Sequence, residues 1–172
     1  MTEEEFYKEK IFNKVGKRQL KKMYPNLSNM IDQWYCSERY KEIQNRKSFL
    51  TNKIKQINDE GENLDFTNEQ LYLFFQWWEN TLKSCHYCSL PENELDNLHS
   101  QPGHINKRYP KRGKSLEIDR KQSDLPYTNI ENLVFACYWC NNAKTDTFTE
   151  SEFLKIGGVI KNIWESRLGR NI

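Results

Sequence analysis

Between residues 3 and 56 apolar side chains recur at intervals of roughly three to five positions among charges, the spacing of amphipathic helices. They are Ile11, Val15 and Leu20, then Met30, Ile31, Trp34 and Tyr35. Pro25, with Asn26 and Ser28 behind it, marks a turn between a basic first helix and a more aromatic second one. The polar stretch 59–65 is the next connection. Thr67 and Gln70 then match a capping box, with Phe66 and Leu71 placed as its hydrophobic staple. The third helix so opened carries Phe74, Phe75, Trp77, Trp78 and Leu82, a load too wide for one stripe, which predicts packing on more than one neighbour. Stacking of nucleic-acid bases on these rings is the rival reading. Core is preferred, because stacking platforms sit mostly on sheets and loops among cations.

After Cys88 the texture changes to a long polar loop, 89–115, punctuated by Pro91, Pro102, Gly103, Pro110 and Gly113. Loops of that length in compact domains tend to carry function. Two short pieces rich in branched and aromatic residues follow, 116–120 and 132–137, joined through Pro126 and Asn129, and they read as a β-hairpin. Thr149 with Glu152 repeats the capping box, Phe148 with Phe153 the staple, and the helix they open runs to about Arg167. Gly157 and Gly158 weaken its middle. Helices segregated from a small hairpin make the fold class α+β.

The chain has 172 residues, 37% hydrophobic, 13% aromatic and 29% charged. At about 100 to 200 residues per domain that allows one main domain with a helical extension, and the aromatic content excludes a disordered chain. The apolar run 133–140 falls far short of the roughly 20 residues that span a bilayer. Residues 1–10 hold no secretory or transit pattern, so the expected location is the cytoplasm. Net charge is only +2, but the sign is unevenly spread. Lys8, Lys10, Lys14, Lys17, Arg18, Lys21 and Lys22 face the single acid Glu9, and Lys107, Arg108, Lys111, Arg112 and Lys114 lie in an acid-free stretch, 97–116. Each is either a solvated face or a polyanion contact.

Five cysteines in a reducing compartment are poor disulfide candidates. Cys85 with Cys88 and Cys137 with Cys140 form two Cys-x-x-Cys knuckles, which together offer the four thiolates of a tetrahedral structural zinc site. A thioredoxin-like role would need one pair within an alternating strand and helix pattern, which is absent. With all four positions filled by sulfur, such a zinc holds the fold and leaves catalysis elsewhere. Cys36 is expected to be a buried thiol.

The order Cys-x-x-Cys, loop, Leu116-Glu117-Ile118-Asp119-Arg120, turn, Asn132 to Cys137, Cys140-Asn141 and Lys144 resembles the HNH endonuclease superfamily, over residues 85 to about 153. The resemblance implies a ββα-metal core stapled by a four-cysteine zinc, with a helical N-terminal region over 1–80 and a nuclease domain over 81–172 that ends in the C-terminal helix. It is similar in particular to the phage recombination endonuclease VII branch, where an Asp closing the first strand and the Asn after the last zinc cysteine hold the catalytic metal. Those positions are Asp119 and Asn141. Asn132 matches the central Asn that holds the hairpin loop in shape, and Lys144, a turn beyond Asn141, would contact a phosphate. Mg²⁺ or Mn²⁺ suits this set, since such ions want hard oxygens and keep several waters. Taken singly, Asp119 could be a strand-end ion pair with Arg120, and Asn141 a helix cap.

Most of the family has a histidine general base after the Asp; here Arg120 stands there. A guanidinium stays charged and cannot take a proton, though it can bind the phosphate or stabilise developing charge. Some members, including a rare-cutting restriction enzyme branch, share the Asp-Arg pairing and draw on a tyrosine or histidine from another segment. His104 is preferred as base, with His99, Tyr109 and Tyr127 as alternatives, and His86 is read as structural. The resulting expectation is a divalent-metal-dependent DNA endonuclease, with the basic stretches on the DNA backbone and the N-terminal helices available to a second copy or a protein partner. A non-catalytic zinc-stabilised nucleic-acid-binding module, and an RNA-cleaving or partner-activated effector, are the rival classes.

Overall fold

The computed structural model describes residues 1–59, 66–101 and 112–170. They fall into two compact units, Met1–Asn80 and Thr81–Ile172.

The first unit is helical: α1 (Glu3–Tyr7), continued as a π-helical segment (Lys8–Phe12), α2 (Lys17–Met23), α3 (Ser28–Cys36), α4 (Glu38–Asp59) and α5 (Asn68–Asn80). The pattern predicts two helices up to residue 56, and the chain makes four. Lys14, at φ 59°, turns the chain out of the first helix before Gly16 caps α2. Ser37 makes the second break. Its hydroxyl donates to the Trp34 carbonyl and accepts from the Tyr40 N–H, ending α3 and capping α4. Pro25 sits, as expected, at the head of the short turn Pro25–Leu27. At α5 both halves of the capping box are made, Gln70 N–H to Thr67 Oγ1 at 3.2 Å and Thr67 N–H to Gln70 Oε1 at 2.9 Å.

Phe6, Phe12, Leu20, Ile31, Leu50 and Phe74 are fully buried and form the core of this unit. Phe12 packs edge-on to Tyr72 and against Phe75, while Phe74 stacks on Trp77 with ring centroids 5.6 Å apart. The aromatic load of α5 is therefore packing. Cys36, expected to be buried, is exposed. It lies five residues after Ile31, which at about 100° per residue turns it away from the face that Ile31 buries.

The second unit holds a short helix α6 (Leu95–Ser100), strands β1 (Glu117–Arg120) and β2 (Leu133–Ala136), and helices α7 (Tyr138–Lys144) and α8 (Glu150–Arg167). The strands pair antiparallel, with Glu117 opposite Ala136 and Arg120 opposite Leu133, so the expected hairpin and the α+β class are present. Every residue of β2 is buried, whereas β1 is half-exposed. Helix α6 was not anticipated within the polar loop; Leu95 and Leu98, three apart, are both fully buried and give it an inner face. Thr149 and Glu152 close the expected capping box of α8. Gly157 is more than a weak point in that helix. A Cβ there would lie 2.3 Å from the Tyr87 carbonyl oxygen, so only glycine lets α8 cross the first knuckle this closely. No described helix is long and apolar enough to cross a membrane.

Candidate active site

The two knuckles meet. One sulfur from each of Cys85, Cys88, Cys137 and Cys140 lies within 4.8 Å of the others, and all four residues are buried. Local hydrogen bonds shape the turns. Cys85 N–H donates to Leu90 O and Ser89 N–H to Cys85 O, with Ser89 at φ 58°, and His86 N–H ties the knuckle to Phe135 O on β2. Cys137 is the N-cap of α7, and its carbonyl accepts from Asn141 N–H at 2.9 Å. The donor set suits zinc: a Zn–S bond of about 2.3 Å in a tetrahedron sets sulfurs roughly 3.8 Å apart, and Cys88 and Cys137 stand at 3.8 Å. Four thiolates cannot coexist here without a cation. Hydrogen bonding with Cys137, then with Cys85 and Cys88, and burial push the Cys140 thiol far above its ordinary value.

Beside this cluster β1 faces α7. Residues two apart on a strand share a face, and residues three apart on a helix do as well, so Glu117 and Asp119 meet Asn141 and Lys144 as two parallel rungs. Asn141 Nδ2 donates to Glu117 Oε2 at 2.8 Å. The other Glu117 oxygen accepts from Arg112 Nε and Nη2 at 2.9 and 2.7 Å. In the second rung Lys144 Nζ lies 3.6 Å from Asp119 Oδ2 and donates to Arg120 O at 2.9 Å. Tyr87, between the cysteines of the first knuckle, donates its hydroxyl to Asp119 Oδ2 at 2.7 Å, and Arg120 N–H donates to Oδ1 at 2.8 Å.

Burial raises the Asp119 carboxyl above its usual range even though Tyr87, Lys144 and the Arg120 amide pull it down. Burial first, and then the Asp119 charge, raise the Tyr87 phenol. It therefore acts as a neutral donor.

The remaining candidates separate. Arg120 points its guanidinium over the Tyr127 ring, 4.6 Å from the centroid, with Nη1 3.3 Å from Leu125 O. Asn132, 4% exposed, accepts from Gln122 N–H and donates to Gln122 O, both at 2.9 Å, closing the loop between the strands. Lys144 does not occupy the phosphate-contact position expected of it. It is 1% exposed, because the Asn141–Lys144 face of α7 turns onto β1 rather than to solvent. His104, Lys107, Arg108, Tyr109 and Lys111 lie outside the described residues. His99 ends α6 with Nε2 buried and unpartnered among the described residues. His86 Nε2 meets Glu150 Oε1 at 2.7 Å, linking the knuckle to the start of α8.

Two neighbours of this site escaped the sequence reading. Glu117 was available, since strand alternation puts it on the face of Asp119. Tyr87 carried no such signal, because its bond to Asp119 exists only once the knuckle packs on the hairpin.

No family model matches the chain, and no curated protein matches it. Among solved structures it is similar to the rare-cutting HNH restriction endonuclease PacI, which is described as perturbing DNA by an extraordinary mechanism. The two are 28% identical, with a TM-score of 0.52, over 71% of this chain and 80% of that one. That likeness agrees with a two-stranded hairpin followed by a helix at a four-cysteine cluster. The likeness supports a place for this chain in the HNH endonuclease superfamily.

Proposed function

We propose that this protein is a divalent-metal-dependent endonuclease that hydrolyses DNA phosphodiester bonds, with zinc in the cysteine cluster and Mg²⁺ or Mn²⁺ held by Asp119 and Asn141. The observation that carries it is the pairing of β1 with α7. With Asn141 Nδ2 engaged by Glu117, the amide oxygen is the atom left for a cation. Asp119 accepts two hydrogen bonds and faces Lys144, against about four lone-pair sites on a carboxylate, which leaves capacity for a metal bond. A divalent ion there would supply Lewis-acid polarisation of the phosphate and a more acidic water.

The chain's own groups do the rest. Tyr87 and the Arg120 amide hold Asp119 in place, and Lys144 offsets its buried charge. Arg120, braced on Tyr127, is assigned to the negative charge that develops on the phosphate. It cannot be the base, and His104 is assigned that role, with Tyr127 the alternative within the described hairpin loop. Lys114 extends the contact to the DNA backbone, while Arg112 is held by Glu117.

Cleavage of supercoiled plasmid by zinc-loaded protein tests this reading. Wild type with Mg²⁺ or Mn²⁺ is expected to nick or linearise DNA; Asp119→Ala, or wild type without a divalent ion, is expected to leave it intact. RNA run in parallel decides the substrate class. A second reading, a non-catalytic nucleic-acid-binding module, draws on the ion pair that Lys144 already makes with Asp119. A wild type that binds DNA and never cuts it would favour that module.

A further inference from the structure

In the N-terminal unit, the turn that ends the π-helical segment and helix α4 enclose a groove of about 660 Å³ whose cations are Lys10, Lys14 and Lys47, with Gln44, Asn45 and Asn52 on its walls and no carboxylate. Several other cations of this unit are paired with carboxylates. Lys8 pairs with Glu69 at 2.7 Å, Lys17 and Lys21 both pair with Asp32, and Arg46 pairs with Glu79 at 3.0 Å. Among the described residues no such ion pair is made by Lys10, Lys14 or Lys47.

Lys47 occupies an unusual place. The buried stripe of α4 runs through Tyr40, Ile43 and Leu50, and the heptad spacing of that stripe includes position 47. A cation on an apolar stripe is costly unless it is satisfied. Its Nζ donates to the Ile11 carbonyl at 2.6 Å, at the C-terminal end of the π-helical segment, and lies 5.4 Å from the Phe12 ring centroid. Burial, and then the neighbouring Lys14 charge, lower its pKa. Positive groups gathered without an acid repel one another, and an anion in the groove removes that cost.

We propose that this groove binds the phosphate backbone of the DNA substrate, with Lys10 and Lys14 on phosphates and Lys47 forming its positive floor. The inference rests on DNA being the ligand of the nuclease reading and deepens it. Within the basic stretch 8–22 it assigns the contact to Lys10 and Lys14, and not to Lys17 and Lys21, which are held by the Asp32 carboxylate they share.

The test is equilibrium binding of a fluorescent DNA duplex to the full-length, zinc-loaded protein, without Mg²⁺ and across a salt series. Lys10→Gln/Lys14→Gln is compared with Lys17→Gln/Lys21→Gln, which removes the same charge, and thermal melts verify folding. Because Lys14 has φ 59°, Lys14→Asn, which tolerates that conformation, serves as a second groove variant. The groove pair is expected to lose about tenfold or more in affinity near 0.1 M salt, and its salt slope to fall by about 0.9 for each phosphate that is no longer neutralised. The control pair is expected to change far less. Equal weakening in both pairs, an unchanged groove pair, or the same weakening for RNA with none for DNA would each overturn the proposal. If Asp119-dependent cleavage persists while the groove pair binds normally, the groove alone fails; if the groove pair weakens binding and no variant or wild type cuts, the nuclease reading alone fails.

Discussion

The two units solve the same problem with different materials. Met1–Asn80 closes around large apolar side chains, Phe6, Phe12, Leu20, Ile31, Leu50 and Phe74, and its one cysteine is exposed. In Thr81–Ile172 the hairpin and the two knuckles converge on four buried sulfurs, and polar rungs join β1 to α7. A unit held by apolar burial degrades by increments as its side chains are trimmed. One organised around a metal-ligand cluster fails together when the metal leaves. The second arrangement also positions chemistry, because Tyr87 and Asn141, each beside a cluster cysteine, are the residues that reach Asp119 and Glu117.

That contrast breaks most sharply under chelation. Apparent zinc binding in small domains is on the order of 10 to 16 kcal/mol, so a strong zinc chelator, or Cys137→Ser, is expected to unfold the second unit and leave the helices of the first intact. Residue-resolved NMR checks it; simultaneous loss of both units would erase the distinction. Phe74→Ala probes the opposite side, with an expected cost of about 3 to 5 kcal/mol in denaturant melts and no release of zinc.

Gly157→Ala should cost roughly 1 to 3 kcal/mol, because its methyl would fall against the Tyr87 carbonyl. It should also reduce cleavage through Tyr87, whereas Gly158→Ala, with open space around it, should do neither. Thr149→Ala, which removes the α8 cap, is expected to lower stability by about 1 kcal/mol, as read from a thermal melt.

The smallest effect concerns pH. Hydrogen bonding from Lys17, then from Lys21, holds the Asp32 carboxyl below its ordinary value. A depressed carboxylate contributes stability above its unfolded pKa, about 3.9, and loses it as pH falls through the lowered folded value. Asp32→Asn should therefore flatten the acid limb of the first unit's stability curve and leave the second unit's unchanged.

Elements with local signals were legible in the chain. The capping boxes at Thr67 and Thr149, the Cys-x-x-Cys turns and the branched strand residues announced α5, α8, the knuckles and the hairpin. Helix α6 was missed because its two buried leucines sit in a stretch dominated by polar residues and turn formers. The break at Ser37 depends on one hydroxyl serving two helix ends, which periodicity does not register. Within the site, Asp119 and Asn141 were marked by the resemblance to HNH enzymes, whose metal-holding positions they match. Lys144 was misjudged because its partners, Asp119 and the Arg120 carbonyl, reach it only through tertiary packing. Lys47, which the sequence pattern does not single out, likewise reaches its partner, the Ile11 carbonyl, only through tertiary packing.

The nuclease reading stands on a metal site, distinct from the four-cysteine cluster, on Asp119 and Asn141. Titrating Mn²⁺ into zinc-loaded protein and following the free-ion signal by electron paramagnetic resonance tests it directly. Wild type is expected to remove one Mn²⁺ from solution per chain, and folded Asp119→Ala to remove none. Equal uptake by both proteins, or no uptake by either, would contradict that site.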